Sequence, residues 1–172
     1  TGTGAGALSL VADGNISLNA NISLSGTGKG FLAKAWGGIS QAANVTVQTN
    51  GGDITYWVNT EGTTSGNHGI YLMNGTTLDS RTATDRTNNA TSTATGGGSI
   101  TLAGGTTTTT TALGTVVPTD YALNAAGTPA GVTLGTYTLS NVTPIAQSSG
   151  IKIYSGGGNI TMLGKSNVYP LH

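Results

Sequence analysis

Cysteine is absent from the sequence, charged residues make up only 7% of it and aromatic residues only 5%. The absence of cysteine excludes disulfides, zinc–thiolate sites and thiol chemistry. The six basic and six acidic residues stand singly and cancel to a net charge of zero, which argues against electrostatic binding to nucleic acid or to an anionic membrane surface. There is no initiator Met, signal peptide or long apolar run, so we expect a segment of a longer chain or a processed product, without membrane insertion.

Glycine is abundant instead, with 29 residues, and Thr, Ser and Asn fill much of the remaining sequence. Gly and Asn disfavour long helices, and Thr favours strands. Chains rich in Gly, Ser and Thr are often disordered, but here hydrophobic residues reach 36% and alternate with polar ones. The composition therefore predicts an ordered, all-β protein.

A short repeat organises the chain: two glycines, one small polar residue, and then an apolar–Thr–apolar alternation. Its three copies contain the isoleucines Ile54, Ile100 and Ile160. The glycine pairs that precede them are Gly51 with Gly52, Gly97 with Gly98, and Gly157 with Gly158. The glycines allow a corner with positive φ, and the alternation directs the Ile to one face and the Thr to the other. We interpret the unit as the corner and one wall of a β-solenoid coil.

The spacing of the repeat fits a solenoid with loop insertions. If a weaker copy at Ile16 is included, the intervals between successive isoleucines lengthen along the chain. With a coil of about 20 residues, the first interval is about two coils and the later ones are two coils plus loops. We expect one solenoid domain over residues 1–172, with insertions at about 79–95, which is polar, and 106–148, which holds a Thr run and prolines.

A β-sandwich is the alternative fold. Short alternating strands separated by turns also build sandwiches, and Asn50-Gly51 between two alternating stretches is a hairpin signal. A sandwich gives no reason to repeat one Gly-Gly-polar-Ile-Thr unit, however. The near-identical tetrads at residues 15–18 and 21–24 also favour consecutive walls of one coil. The solenoid is the preferred prediction.

Three stretches carry a resemblance to a known family, at residues 14–22, 45–54 and 155–161. Through them the sequence resembles the filamentous-haemagglutinin type of surface exoprotein. The parts of the chain that share this pattern are roughly residues 7–57, 69–78, 96–105 and 149–165. The resemblance implies a right-handed parallel β-helix, export across a Gram-negative envelope, and a role as an adhesin or structural filament without catalytic residues.

The charged residues give no reason to predict catalysis. Enzymes on parallel β-helices cluster carboxylates with a Lys or Arg on one wall, whereas here only Asp79 and Asp85 lie near each other, interleaved with Arg81 and Arg86. Compensating surface charges are the simpler interpretation, and no carboxylate pair is nominated for glycosidase chemistry. Neither histidine has the neighbours of a catalytic triad or a metal site. We predict no enzyme activity, no metal and no cofactor; a carbohydrate-acting β-helix enzyme is the remaining alternative.

Seven Asn-x-Ser/Thr sequons are present, at Asn15, Asn21, Asn44, Asn74, Asn89, Asn141 and Asn159. Those on the repeat have a structural explanation, since Asn favours turns and Ser or Thr favours strands. Asn74 and Asn89 lie in predicted loops and are the candidate glycan acceptors.

Trp36, Tyr56 and Trp57 are the candidates for a patch that stacks on carbohydrate. Aromatic residues near strands more often fill a core or cover an edge, so both interpretations stay open. If the patch exists, host or environmental glycans are its partners.

The predicted function is a non-catalytic structural or adhesive role in an extracellular filament or adhesin at the cell surface. Open solenoid ends expose strand edges and apolar side chains, so the expected partners are further copies, or further repeats of the same chain, end to end. The alternative is a self-assembling pilus or surface-layer subunit with a β-sandwich body, in which residues 8–11 pair with a neighbour.

Overall fold

The computed structural model describes residues 2–64, 66–88, 96–124, 131–135 and 150–166. Within these ranges the chain forms strands and one short helix, which confirms the predicted all-β class. The strands are β1 (Gly2–Gly4), β2 (Leu8–Ala12), β3 (Ile16–Leu18), β4 (Ile22–Thr27), β5 (Phe31–Ala35), β6 (Ile39–Gln41), β7 (Thr46–Asn50), β8 (Ile54–Val58), β9 (Ile70–Leu72), β10 (Thr77–Asp79), β11 (Ile100–Thr110), β12 (Val116–Asp120), β13 (Ala122–Asn124), β14 (Val132–Leu134), β15 (Lys152–Tyr154), β16 (Ile160–Met162) and β17 (Gly164–Ser166). The helix, α1, spans Ala83–Thr87.

Most of these strands belong to three sheets with parallel pairing. Sheet 1 has the strand order β1-β4-β7-β10-β15, and sheet 3 has the order β14-β9-β6-β3. Sheet 2 has the order β12-β11-β8-β5-β2, with β16 also paired to β11. β13 and β17 form a separate parallel pair. Among the described strands, only the β11–β12 pair is antiparallel.

The chain visits the three sheets in a fixed rotation. β2, β3 and β4 belong to sheets 2, 3 and 1, and β5–β7 and then β8–β10 repeat that order. A fourth passage runs through β11, β14 and β15, and β16 begins a fifth on sheet 2. We call each passage a rung. The predicted consecutive walls at residues 15–18 and 21–24 correspond to β3 and β4, which follow each other in the chain on different sheets.

The strand register confirms that the repeat isoleucines form one column. On sheet 2, Ile54 faces Ile100, and Ile100 faces Ile160. The column continues through Phe31 to Leu8 in the earlier rungs. Leu8, Phe31 and Ile54 are evenly spaced in the chain, so the rungs without insertions have one constant length. This length is slightly greater than the expected coil of about 20 residues.

Two details of the predicted spacing are wrong. Ile16 lies on sheet 3, in register with Ile39, and is therefore not a member of the Ile54 column. The steps from Ile54 to Ile100 and from Ile100 to Ile160 are single rungs with insertions, not two coils each. The reason is that corners leading into different sheets share a glycine–polar–Ile pattern, so the pattern does not identify the sheet that follows.

One hydrophobic cluster contains side chains from all three sheets. Leu78 on sheet 1, Ile54 on sheet 2 and Ile39 on sheet 3 are fully buried members of it. At the last strand of sheet 2, by contrast, Ile160 and Met162 are 45% and 43% exposed. On sheet 2, complete burial of the inward-facing side chain is therefore found where a rung lies on each side, since apolar area is removed from water only where another side chain covers it.

The second glycine of each repeat stands where the backbones of neighbouring rungs approach closely. A Cβ added to Gly98 would collide with the backbone of Gly52, and one added to Gly158 would collide with Gly98. A Cβ on Gly52 would meet the backbone of Lys29 in the same way. Gly51, the first glycine of its pair, makes the turn with a φ of 81°. It leads β7 on sheet 1 into β8 on sheet 2, so the hairpin suggested by Asn50-Gly51 does not form.

Asparagine side chains tie successive rungs together at the corners. Asn15 Oδ1 accepts a hydrogen bond of 2.7 Å from the backbone N–H of Gly38, one rung further on. Asn21 Oδ1 accepts one of 2.8 Å from the N–H of Thr46. These bonds satisfy backbone donors that the turning chain leaves without a ladder partner. The two sequons therefore have a structural role.

The segment predicted as an insertion at 106–148 contains more regular structure than expected. β11 continues past Gly105 to Thr110, and β12 returns antiparallel to it as a hairpin. β14 then takes its place in sheet 3, where Val132 faces Ile70. The rest of the segment, at residues 125–130 and 136–149, lies outside the described residues.

The segment predicted as an insertion at 79–95 begins where β10 of sheet 1 ends. Asp79 is the last residue of β10, and α1 follows with Thr82 as its N-cap, whose side chain accepts from the N–H of Asp85. Residues 89–95 lie outside the described residues. Across the described ranges, no helix is long and apolar enough to cross a membrane.

Candidate functional site

The three aromatic residues predicted as a sugar-stacking patch do not share one surface. Tyr56 is fully buried, Trp57 is 8% exposed, and Trp36 is 39% exposed. Neither Tyr56 nor Trp57 is therefore available to an external ligand. Trp36 alone among the three can present its ring to solvent.

Tyr56 belongs to a polar network inside the molecule. Its hydroxyl donates a hydrogen bond of 2.6 Å to Oε1 of Gln41. The Nε2 group of Gln41 in turn donates to the carbonyl oxygens of Val45 (2.8 Å) and Thr77 (3.3 Å). Burial raises the pKa of Tyr56 well above its ordinary value, so the phenol remains protonated and acts as a donor. The network satisfies buried polar atoms and has a structural role.

Trp57 lies on the outer side of sheet 2 but is covered by later parts of the chain. Its indole N–H donates a hydrogen bond of 2.8 Å to the carbonyl oxygen of Gly105, at the bend of β11. The ammonium nitrogen of Lys34 lies 4.2 Å from the centre of the Trp57 ring. The ring therefore fixes the base of the β11–β12 hairpin.

Trp36 contacts His68 through both its backbone and its ring. Nδ1 of His68 lies 2.7 Å from the carbonyl oxygen of Trp36, and Nε2 lies 3.1 Å from Oγ1 of Thr63. A carbonyl oxygen only accepts, so Nδ1 carries a proton and donates it to that bond. The two rings also pack against each other, with their centres 5.4 Å apart. Thr63 is in turn bonded to Asn59, so the loop after β8 supports the indole ring from one side.

A shallow groove of about 250 Å³ opens on the outer face of sheet 3. Its polar side chains are those of Asn15, Ser17, Ser40, Asn67 and Tyr71, and none of its lining residues is charged. Ile39 and Ser40 of β6 are also among its lining residues. The hydroxyls of Ser40 and Ser17 are linked by a hydrogen bond of 3.2 Å between neighbouring rungs.

This groove is not predicted from the sequence. Ser17, Ser40 and Tyr71 face one another in register on β3, β6 and β9, although they are far apart in the chain. The available signal is the recurrence of Gly-x-Ile-Ser, Gly-Ile-Ser or Gly-Ile-Tyr at the start of these strands. It identifies outward positions once the rung length is known.

The charged group at 79–86 is more buried than the predicted surface cluster. Asp79 is buried, and its two carboxylate oxygens accept from Nε (3.0 Å) and Nη2 (2.8 Å) of Arg81. This hydrogen bonding raises the pKa of Arg81. Arg86 donates to the carbonyl oxygen of Thr49 at 2.8 Å, and burial lowers the pKa of Arg86. The group anchors the segment after β10 against sheet 1.

Asp53 joins two rungs and the turn of the hairpin. Its side chain is buried, and Oδ1 accepts a hydrogen bond of 2.7 Å from the N–H of Ser99. Oδ2 accepts one of 2.5 Å from the hydroxyl of Thr111, in the turn between β11 and β12. These partners explain the Asp in the repeat as a structural residue.

Only one of the two candidate glycan acceptors lies among the described residues. Asn74 is half-buried between β9 and β10, and its carbonyl oxygen accepts from the N–H of Asn44 at 3.0 Å. Asn89 lies outside the described residues. Glycosylation of either residue stays a prediction.

Within the part of the chain that is described, no three His, Cys, Asp or Glu side chains lie close enough together to hold a metal ion. A scan against protein-family models, a search of curated proteins and a search of solved structures found no match. The fold and surfaces thus define an all-β protein of parallel rungs with an uncharged groove on its outer face. These are the features that bear on its function.

Proposed function

We propose that the three sheets enclose a common core as a right-handed parallel β-helix, and that this β-solenoid is a non-catalytic segment of an extracellular filament or adhesin. The observation that carries the proposal is the unbroken register of sheet 2, in which Leu8, Phe31, Ile54, Ile100 and Ile160 occupy one column. Such a column can be extended by any rung of the same kind. Right-handed crossovers are the strong preference for parallel strands.

The last strand on each sheet supports continuation of the stack. Leu134 on sheet 3 is exposed, as are Ile160 and Met162 on sheet 2, and Ile153 on sheet 1 is only half-buried. Among the described strands, those that carry them have no partner on their other side, and an unpaired edge is a template for another strand. In the proposed filament these edges bind the next rung, supplied either by the same chain or by a second copy.

The first rung is incompletely covered as well, so it could pack against the last rung of another copy. Leu8 and Leu10 of β2 are only partly buried, although they pack against the hydrophobic cluster. β2 has a parallel neighbour on one side only, at β5. A head-to-tail contact between first and last rungs is heterologous, so it leads to an open filament rather than a closed oligomer.

The family resemblance is part of the same proposal. A filamentous-haemagglutinin-type exoprotein would use such a segment as a shaft at the cell surface, with binding functions displayed on its sides. The scattered carboxylates favour this role over carbohydrate hydrolysis, since Asp79 and Asp53 are each committed to structural hydrogen bonds.

Electron microscopy and sedimentation velocity of the purified chain test the proposal. We expect fibres one solenoid wide, or association that increases with concentration, and we expect Met162→Lys to abolish both by placing a charge on the last strand of sheet 2. Leu113→Lys is the matched control, because Leu113 is 54% exposed in the hairpin turn, away from that strand. Beaded subunits would favour the β-sandwich pilus alternative, and a monomer at every concentration would contradict association between copies.

A further inference from the structure

The uncharged groove on sheet 3 has the chemistry of a carbohydrate-binding site. We propose that it binds a stretch of a neutral, extended polysaccharide, with sugar rings along the line of Ser17, Ser40 and Tyr71 and one ring face against Trp36. The inference rests on the adhesive part of the proposed function and names its ligand class.

The lining of the groove determines the charge of the ligand. No Lys, Arg, His, Asp or Glu is among its lining residues. A phosphate or carboxylate group that entered the groove would lose part of its hydration and would find no oppositely charged side chain in return. Amide and hydroxyl groups both donate and accept hydrogen bonds, which matches the hydroxyl groups of a neutral sugar.

The spacing of the lining residues favours an extended chain. Ser17, Ser40 and Tyr71 stand on successive parallel strands, so they are separated by about 4.8 Å per rung. This separation is close to the length of one pyranose unit in a β-1,4-linked polymer. A groove of about 250 Å³ is smaller than a typical pocket for a drug-sized ligand, so a short stretch of a chain fits it better than an enclosed small molecule.

Trp36 supplies the apolar part of the site. It directly precedes Gly37, and Gly38 lines the groove. Trp36 is not itself a lining residue, but its ring packs on His68, whose chain neighbour Asn67 lines the groove. In this proposal the exposed indole lies next to the groove, where a chain longer than the groove would meet it. An indole that already packs on the His68 ring loses less conformational freedom when a sugar ring packs on it, and preorganisation of this kind strengthens binding.

A peptide is a weaker candidate for the same place. Peptides that bind sheets usually add a strand to an unpaired edge. β6 and β9 are each paired with a strand on both sides, so their backbone groups are occupied. Among the described strands, β3 is the edge strand of sheet 3, and its unpaired edge is on the side away from β6. The groove therefore presents side chains rather than backbone to a ligand, and these side chains are uncharged.

Affinity electrophoresis of the purified chain tests the proposal, with gels that contain glucomannan, hydroxyethyl cellulose, dextran or alginate. We expect retardation by glucomannan or hydroxyethyl cellulose, at least fivefold weaker in Trp36→Ala and in the groove-filling variant Ser40→Gln. Tyr121→Ala is the matched control, because Tyr121 is an exposed aromatic residue beside Lys165 and outside the groove. Circular dichroism checks that each variant folds like the parent chain.

Three results would overturn the carbohydrate site. They are the absence of retardation in both β-1,4-linked neutral gels, retardation by alginate alone, and unchanged retardation in either groove variant that folds normally. Fibre formation is measured separately with the same variants. Retardation without fibres contradicts the filament and leaves the groove intact, whereas fibres without retardation contradict only the groove.

Discussion

The middle and the last strands of sheet 2 use the same local sequence with opposite results. Ile100 follows Gly97-Gly98 and is fully buried, whereas Ile160 follows Gly157-Gly158 and is 45% exposed. Both have parallel register partners in the same column. The difference is that Ile100 lies between two rungs and Ile160 has a described neighbour on one side only. On sheet 2, a rung therefore reaches complete burial only where another rung covers it on each side.

The largest expected effect comes from truncating the two isoleucines. Ile100→Ala should lower the free energy of unfolding by about 2–5 kcal/mol, because it opens a cavity between two rungs. Ile160→Ala should change it by less than about 0.5 kcal/mol, as expected for an exposed position. Urea unfolding of both variants checks this. Equal losses would show that the two rungs are equivalently covered.

Glycine substitutions test how closely neighbouring rungs approach at the corners. Gly98→Ala should cost about 1–3 kcal/mol, because the added methyl group collides with the backbone of Gly52 in the rung before. Gly14→Ala is the control, since a Cβ there would meet nothing within 4 Å. Thermal unfolding of the pair measures the difference. A harmless Gly98→Ala would mean that the rungs are further apart than described.

The next largest loss of stability is expected in the interior polar network of Tyr56 and Gln41. Tyr56→Phe removes the donor to Gln41 and leaves a buried amide oxygen without a partner, at an expected cost of about 1–2 kcal/mol. The double variant Tyr56→Phe/Gln41→Leu should lose less than the sum of the two single losses, since the Tyr56–Gln41 bond is lost only once, while Gln41→Leu also removes the bonds to Val45 and Thr77. Additive losses in a double-mutant cycle would argue that the two side chains do not interact.

The smallest effect is expected at the hairpin. Thr111→Val removes the hydroxyl that donates to Asp53 and should cost about 0.5–1.5 kcal/mol. Hydrogen exchange should accelerate in β12 more than in β8, because the substitution releases the turn rather than the rungs. Thr109→Val, at an exposed position of β11, is the control. Uniform acceleration in Thr111→Val would contradict a local effect.

The repeat was sufficient to predict the isoleucine column and the glycine corners. Both depend on local rules: alternation sets the inward face, and a close backbone approach demands glycine. The sheet to which Ile16 belongs could not be predicted, because corners into different sheets share one pattern. The position of Val132 on sheet 3 was equally hidden, since the β11–β12 hairpin lies between it and Ile70 and interrupts the regular rung length.

The surfaces were harder to predict than the core. Alternation places Trp57 on the outer side of sheet 2, and only the later return of the chain at Gly105 covers it. The groove has a similar origin, because Ser17, Ser40 and Tyr71 become neighbours through register rather than sequence. Long-range coverage and register are tertiary properties, so a single short motif does not contain them.

Disulfide trapping tests the stacked register most directly, because the natural chain has no cysteine. Thr77 and Lys152 are register partners on β10 and β15 although they are distant in the chain, so their Cα atoms lie within disulfide range. We predict that Thr77→Cys/Lys152→Cys forms an intramolecular disulfide in the folded chain, and that Ser23→Cys/Lys152→Cys, with its cysteines on the first and fourth rungs, does not. Cross-linking that is equally efficient in both variants, or absent from the first, would contradict the stacked rungs.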